Sequence, residues 1–181
     1  MTTILMTHRR DKTAAHNACV RLSLVMALLT AGAAWAGCSV SASGLSFGPY
    51  QPMTFAGRFT SADVLSTGTI SITCSNMLSL GSYTLALGPS ADAAGDGIST
   101  RYLANSSGGA NMAFNIYTDT RRSIVWGNGS IGALVSGSLP IITLGSYTDN
   151  VTVYGKIPAG QNTLKAGSFS GSVTATLTYI P

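Results

Sequence analysis

Polar and apolar residues alternate over several short stretches of the chain, and the last of these stretches is the most regular. In "SGSVTATLTYIP", Val173, Ala175, Leu177 and Tyr179 share one face of an extended strand, and serine and threonine residues share the other. This period of two predicts a β-strand with one buried face. Two residues follow Tyr179, which leaves open what lies beside the second edge of this strand.

The same alternation recurs in six shorter runs, separated by turns rich in glycine, serine, asparagine and proline. They are "GLSFGPY" from Gly44, "TISITC" from Thr69, "SYTLALG" from Ser82, "NMAFNIYTD" from Asn111, "SIVWGNG" from Ser123 and "NVTVYGKIP" from Asn150. No stretch keeps apolar residues at helical spacing for more than two turns. The pattern therefore predicts an all-β sandwich or barrel. We expect the polar residues 88–110 to form a mobile loop, ordered around Tyr102 and Leu103.

The N-terminus has the pattern of a secretory signal peptide. Residues 1–21 are polar and basic, and the apolar residues 22–36 end in the sequence Ala-Trp-Ala. An apolar run of this length followed by a small-x-small site predicts cleavage, whereas a membrane-spanning helix needs about 20 apolar residues. We therefore expect a signal peptide at 1–36 and one domain at 37–181, secreted through the periplasm to the cell surface. Four alternatives remain, namely a start at Met6 or later, a twin-arginine signal at Arg9-Arg10, lipid anchoring at Cys38, and a buried N-terminal helix.

Removal of residues 1–36 changes the charge of the chain. The full sequence has a formal net charge of +4, whereas residues 37–181 carry six basic and five acidic residues and a net charge of +1. The basic ones are Arg58, Arg101, Arg121, Arg122, Lys156 and Lys165, and the acidic ones are Asp63, Asp92, Asp96, Asp119 and Asp149. Most of the net positive charge thus comes from the predicted signal peptide, and it does not predict binding to nucleic acid.

The same truncation leaves no histidine, no glutamate and two cysteines, Cys38 and Cys74. In an oxidising compartment, two such cysteines predict one disulfide. A zinc site would need more ligands than these. Asp92 and Asp96 in "ADAAGDG" could approach a cation, but the closing glutamate of an EF-hand loop is missing. We expect no metal and no cofactor.

Candidate catalytic patterns are weak. "GNGSIG" at residues 127–132 matches G-x-G-x-x-G but is not followed by a helical pattern, so a hairpin turn is the better prediction. Neither Lys156 nor Lys165 follows a serine at the S-x-x-K spacing, and no aspartate pair suggests a glycosidase. Arg121-Arg122 is explained by a solvated turn. We expect a protein that is not an enzyme.

Several segments resemble the spore coat protein U domain family in the order in which that family has them. They are "CSVSASGLSFGPYQP", "STGTISITC", "TRYLANSSGGANMAFNIYTD", "VWGNG" and "TVYGKIPAGQNTLKAGSFSGSVTATLTY", and they extend over residues 37–181. Members of the family include pilins of archaic chaperone–usher systems. The resemblance implies an immunoglobulin-like β-sandwich that lacks its last strand.

The resemblance also implies a partner for the last strand. A periplasmic pilus chaperone would first supply the missing strand, and a neighbouring pilin subunit would replace it at the outer-membrane usher. Val173, Ala175, Leu177 and Tyr179 would then flank the groove for the donor strand, and the function would be that of a structural subunit of a surface pilus. This addition of a strand is β-augmentation.

One departure from a polymerising pilin concerns the donor segment, which such a subunit carries ahead of its first cysteine. Only Gly37 separates the predicted cleavage site from Cys38. We expect a subunit that accepts a strand without giving one, placed at an adhesive pilus tip that acts in biofilm formation. The alternatives are a spore or cell coat protein that does not polymerise and a carbohydrate-binding surface protein. The latter would expose Tyr102, Trp126 and Tyr147, although Trp126 fits a core position equally well.

Overall fold

The structure, a computed structural model, describes residues 37–53, 61–91 and 96–180. The predicted signal peptide lies outside these residues. The described part of the chain is built from β-strands, and it contains no helix of sufficient length and apolar character to cross a membrane.

Within the described ranges, nine antiparallel strands form two sheets. In chain order they are β1 (Gly37–Ala42), β2 (Val64–Met77), β3 (Gly81–Ser90), β4 (Arg101–Asn105), β5 (Met112–Tyr117), β6 (Val135–Leu139), β7 (Ile142–Ile157), β8 (Phe169–Ser170) and β9 (Val173–Ile180). One sheet has the order β1-β2-β7-β5-β4-β8, and the other has the order β6-β3-β9. The prediction of an immunoglobulin-like β-sandwich is confirmed.

The predicted alternation produces the core between the sheets. The inward residues of β2, β3 and β5 are buried, and they are Ile70, Ile72, Cys74, Tyr83, Leu85, Leu87, Met112, Phe114 and Ile116. Burial of such apolar side chains is the main stabilising contribution to a sandwich of this size. The strands that the sequence pattern marks most clearly therefore supply most of the core.

The segment "GLSFGPY" is not a strand, contrary to the prediction. Gly44 and Gly48 adopt φ values of +74° and +69°, which bend the backbone out of the extended conformation. The apolar face predicted for this segment is nevertheless used. The ring of Phe47 meets that of Phe114 edge-on at 6.1 Å between centroids, and a Cβ atom added at Gly155 would collide with Leu45 and Phe47.

Two further predictions of local structure need correction. "SIVWGNG" contributes two isolated bridges, Tyr117 with Val125 and Trp126 with Ala133, instead of a strand. Within residues 88–110, the ordered part predicted around Tyr102 and Leu103 is confirmed, but it is a strand, β4, which pairs with both β5 and β8. The sequence pattern did not indicate a strand there because the first inward residue of β4 is a charged arginine, Arg101.

Candidate binding groove

Strand β9 lies at the edge of the three-stranded sheet. It pairs with β3 in the register Tyr83 to Tyr179, Leu85 to Leu177 and Leu87 to Ala175. No other strand of the described residues pairs with it. Its residues alternate between half-buried and exposed along the whole strand, which confirms the predicted half-buried strand. Its second edge therefore has backbone groups available for another strand.

An apolar groove of about 1060 Å³ opens beside the first half of β9. Residues 42–53 form one wall, and Val173 and Ala175 contribute to the other. Core side chains line its depth, and they are Ile70, Leu87, Met112, Phe114, Ile116, Val153 and Ile157. Leu177 and Tyr179 pack against the core further along β9 and do not line the groove. The groove thus exposes part of the core next to an unpaired strand edge.

The groove carries little charge. Lys165 is the one charged side chain among the described residues that line it. The described carboxylates lie elsewhere and have partners. Asp63 pairs with Lys156 at 3.6 Å, and Asp149 accepts a hydrogen bond from the Tyr83 hydroxyl. An uncharged, apolar ligand fits this lining, because a buried charge would find no compensating group in the depth of the groove.

A buried arginine supports the strand that carries β9. The guanidinium of Arg101 is fully buried and donates to the carbonyl oxygens of Leu87, Gly88 and Trp126 at 3.3, 2.9 and 2.9 Å. It also donates to Oδ1 of Asn115 at 2.6 Å. Burial lowers the pKa of Arg101 to about 10, so the side chain stays charged at neutral pH. The β3–β9 pairing shifts register between Leu87 and Ser90, where Arg101 holds β3.

The predicted disulfide is confirmed. Cys38 in β1 lies directly opposite Cys74 in β2, with 4.1 Å between the Cα atoms, and the two form a disulfide bond. Strand β1 also lies beside β9. The disulfide therefore ties β1 to the larger sheet, and β1 borders the edge of the smaller sheet.

The weaker sequence motifs have local structural roles. In residues 127–132, Asn128 donates its backbone N–H to the carbonyl of Ile131, and its side chain accepts from the backbone N–H of Ser130 and Ile131. This arrangement is the predicted turn. The Asp96 carboxylate accepts from the hydroxyl of Ser99 and from the N–H groups of Ile98 and Ser99, and these hydrogen bonds lower its pKa.

No cation site is formed by the described residues. They contain no cluster of three or more His, Cys, Asp or Glu side chains, and Asp92, one of the two aspartates considered for a cation site, lies outside them.

The side chain of Arg122 has partners within the domain. It donates to the Gly155 carbonyl at 3.0 Å and stacks over Tyr154 at 5.7 Å. The prediction that a solvated turn explains both Arg121 and Arg122 is therefore wrong for the side chain of Arg122.

The aromatic residues proposed for sugar binding are not gathered into one surface. Trp126 is fully buried, and its Nε1 donates to the Leu85 carbonyl at 3.0 Å. Tyr102 is half-buried in β4, and Tyr147 is half-buried in β7, with β5 between these strands. The core interpretation of Trp126 is confirmed, and the exposed aromatic platform is not formed by these three residues.

One end of the sandwich exposes large apolar side chains. Met77 pairs with Ile142, Gly81 with Leu139, and Ser82 with Ile180, so that the β2–β3 connection, the β6–β7 connection and the end of β9 meet there. We call this surface the apolar end, and it consists of Leu78, Leu80, Ile141, Leu144 and Ile180. Leu78 is 82% exposed and Leu144 is 93% exposed. The start of β9 and the groove lie toward the other end of the sandwich.

Comparison with known proteins identifies the family. The family model of the Spore Coat Protein U domain matches residues 24–176. The chain is also similar to "Protein U" of Myxococcus xanthus, with 31% identity over 150 residues, which is 82% of this chain and 78% of that protein. The chain belongs to the Spore Coat Protein U domain family, a family named for a protein of a surface coat.

Proposed function

We propose that this protein is an exported structural subunit of a surface pilus of the archaic chaperone–usher type, and that its groove accepts an extended segment from a partner protein. The observation that carries the proposal is the coincidence of the unpaired edge of β9 with the groove that opens onto the core. A strand inserted there would complete the smaller sheet and cover the exposed core at the same time.

The energetics favour a durable junction. Each backbone hydrogen bond gained along β9 would contribute about 0.5–1.5 kcal/mol. Each apolar side chain inserted into the groove would add about 1.5–3 kcal/mol. Three or four such residues would contribute about 4.5–12 kcal/mol. Association costs about 4–15 kcal/mol, so a stable complex needs both the side chains in the groove and the hydrogen bonds along β9.

The identity of the partners follows from the hazard of an open edge. A free strand edge above exposed core residues promotes aggregation. We therefore propose that a periplasmic pilus chaperone covers the edge of β9 first, and that the segment of a neighbouring subunit replaces it at the outer-membrane usher. The role is structural, with no catalytic step.

A position at the tip of the pilus is supported by the first strand. Gly37–Ala42 pair with β2 from the first residue after the predicted cleavage site. These residues are needed by the domain itself, so they are not available to complete another subunit. Under this proposal the chain accepts a strand and ends the fibre.

An adhesive role in biofilm formation is supported by the apolar end. Exposed apolar patches on a folded domain commonly mark surfaces of interaction. The apolar end lies away from the open part of the groove, so occupation of the groove would leave it exposed. A coat protein that does not polymerise remains the second candidate, because the family is named for a spore coat.

A pair of variants on β9 tests the proposed function. Ala175→Asp places a charge inside the groove, whereas Thr176→Asp places the same charge on the exposed face of the same strand. Each form is expressed in the native cells, and sheared surface material is run without boiling and probed for the protein. We expect large, heat-sensitive assemblies for the wild type and Thr176→Asp, and their loss for Ala175→Asp. Equal assembly of both variants, or a wild-type protein found only as a monomer, would refute the pilin function.

A further inference from the structure

The charged residue of the groove lining, Lys165, has a fixed backbone. It belongs to residues 164–171, which form one wall of the groove and precede β9 in the chain. The carbonyl oxygen of Lys165 accepts a hydrogen bond of 3.0 Å from Nδ2 of Asn105, a buried residue at the end of β4. The backbone of Lys165 is therefore attached to the larger sheet.

The side chain of Lys165 also has a defined position. A Cβ atom added at Gly109 would come within 3.2 Å of the Cδ atom of Lys165, so the aliphatic stem passes over Gly109. Gly109 adopts a φ value of +101°, which is unfavourable for any residue with a side chain. Lys165 is exposed although it lines the groove. This combination places Lys165 at the rim of the groove.

Lys165 forms no ion pair with the described residues. The described aspartates bind other groups, namely Asp63 with Lys156, Asp96 with Ser99, Asp119 with Ser123 and Asp149 with Tyr83. None of these aspartates lines the groove. The ammonium group of Lys165 is therefore available to a carboxylate that a partner would bring.

We propose that the partner segment carries an aspartate or a glutamate next to its apolar residues, and that this carboxylate pairs with Lys165 where the segment leaves the groove. This inference rests on the proposed function, and it adds a charge to the apolar pattern of the segment. A carboxylate in the depth of the groove would lose its water without gaining a compensating group. At the rim it keeps much of its hydration and gains an ion pair, which favours one register of the segment along β9.

A matched set of peptides tests the preferred charge. Blocked peptides of alternating valine and threonine, about ten residues long and thus within the range of ordinary strands, carry glutamate or glutamine at the first or the last position. They are titrated into the exported protein, and the dissociation constants are compared. We expect one of the glutamate peptides to bind about two- to fivefold more tightly than its glutamine counterpart, the range for an exposed ion pair. High salt should reduce this difference. Equal binding within both pairs at low salt would overturn the inference.

Three substitutions assign the preference to Lys165, whose exposure makes an effect on folding small. Lys165→Gln should abolish the preference for glutamate, whereas Lys156→Gln, which removes the same charge outside the groove lining, should retain it. Lys165→Glu should favour peptides that carry lysine at the same position. A preference that survives Lys165→Gln, or that both glutamine variants lose, would refute the pairing with Lys165. Failure of every peptide to bind the wild type would contradict the proposed function itself, so the two failures are distinguishable.

Discussion

The hydroxyl of Tyr83 donates a hydrogen bond of 2.6 Å to Oδ2 of Asp149 and thereby links the two sheets of the sandwich. Tyr83 lies in β3, the strand that carries β9, and Asp149 lies in β7 of the larger sheet. The phenol is buried with 1% exposure. The bond fixes the spacing of the two sheets between the groove and the apolar end.

Tyr83→Phe removes this link and should lower the free energy of unfolding by about 1.5–3 kcal/mol, the range for a hydrogen bond to a charged group. The loss arises because the half-buried Asp149 carboxylate is left without its donor. Urea unfolding of the two proteins at pH 7 measures it. Tyr147→Phe, on the neighbouring part of β7, is the control and should change stability by less than about 0.5 kcal/mol.

The same pair predicts a response to alkaline pH. Burial raises the pKa of Tyr83 above its ordinary value of 10.0, and the bond to Asp149 raises it further. The folded state therefore holds this proton more tightly than the unfolded chain. The resulting stabilisation is complete below the unfolded pKa of about 10 and is lost as the pH rises beyond it. Between pH 10 and 11.5, the free energy of unfolding of Tyr83→Phe should fall less than that of the wild type. Equal losses would contradict the conclusion that Tyr83 causes the alkaline loss of stability.

Arg101→Met should destabilise the domain by about 3–5 kcal/mol, because buried acceptors that lose their donor cost about 1–3 kcal/mol each. The substitution leaves the carbonyls of Leu87, Gly88 and Trp126 without the donor that they share. Arg121→Met is the matched control, because Arg121 is exposed, and we expect a change within about 0.5 kcal/mol. Thermal or urea unfolding compares the two, and similar small effects would show that the buried guanidinium is dispensable.

The apolar end gives a prediction about adhesion. Leu78→Ser and Leu144→Ser should leave stability within about 0.5 kcal/mol of the wild type, because both side chains are exposed. We expect the double variant to reduce the attachment of cells to polystyrene at unchanged levels of surface protein. Leu65→Ser is the control, since Leu65 is 51% exposed and lies near the start of β2, at the other end of that strand. Unchanged attachment would exclude the apolar end as the adhesive surface.

Much of the fold follows from local patterns. The alternation in β2, β3, β5 and β9 predicts which face is buried, because successive side chains of a strand point to opposite sides. The prediction failed for Leu45 and Phe47, whose spacing is that of a strand. Their apolar side chains do pack inward, but Gly44 and Gly48 with positive φ prevent a regular ladder.

The candidate site was less predictable, because it depends on contacts between distant parts of the chain. Charged residues are expected at the surface from a hydropathy pattern, so such a pattern cannot indicate a buried Arg101 whose guanidinium donates to carbonyls from two distant segments. Likewise, the alternation in the sequence predicts the same buried face for all four inward residues of β9. Only the folded structure shows that the groove is lined by Val173 and Ala175 and not by Leu177 and Tyr179.

The central claim is that a strand from another chain pairs with the free edge of β9. Hydrogen exchange of the β9 amides, measured on the isolated protein and on the assembled surface material, tests it most directly. The account predicts that amides around Val173 and Ala175 exchange rapidly in the isolated protein and become protected by at least 100-fold on assembly. Equal protection in both states would contradict it, since the edge would then be either already closed or never used.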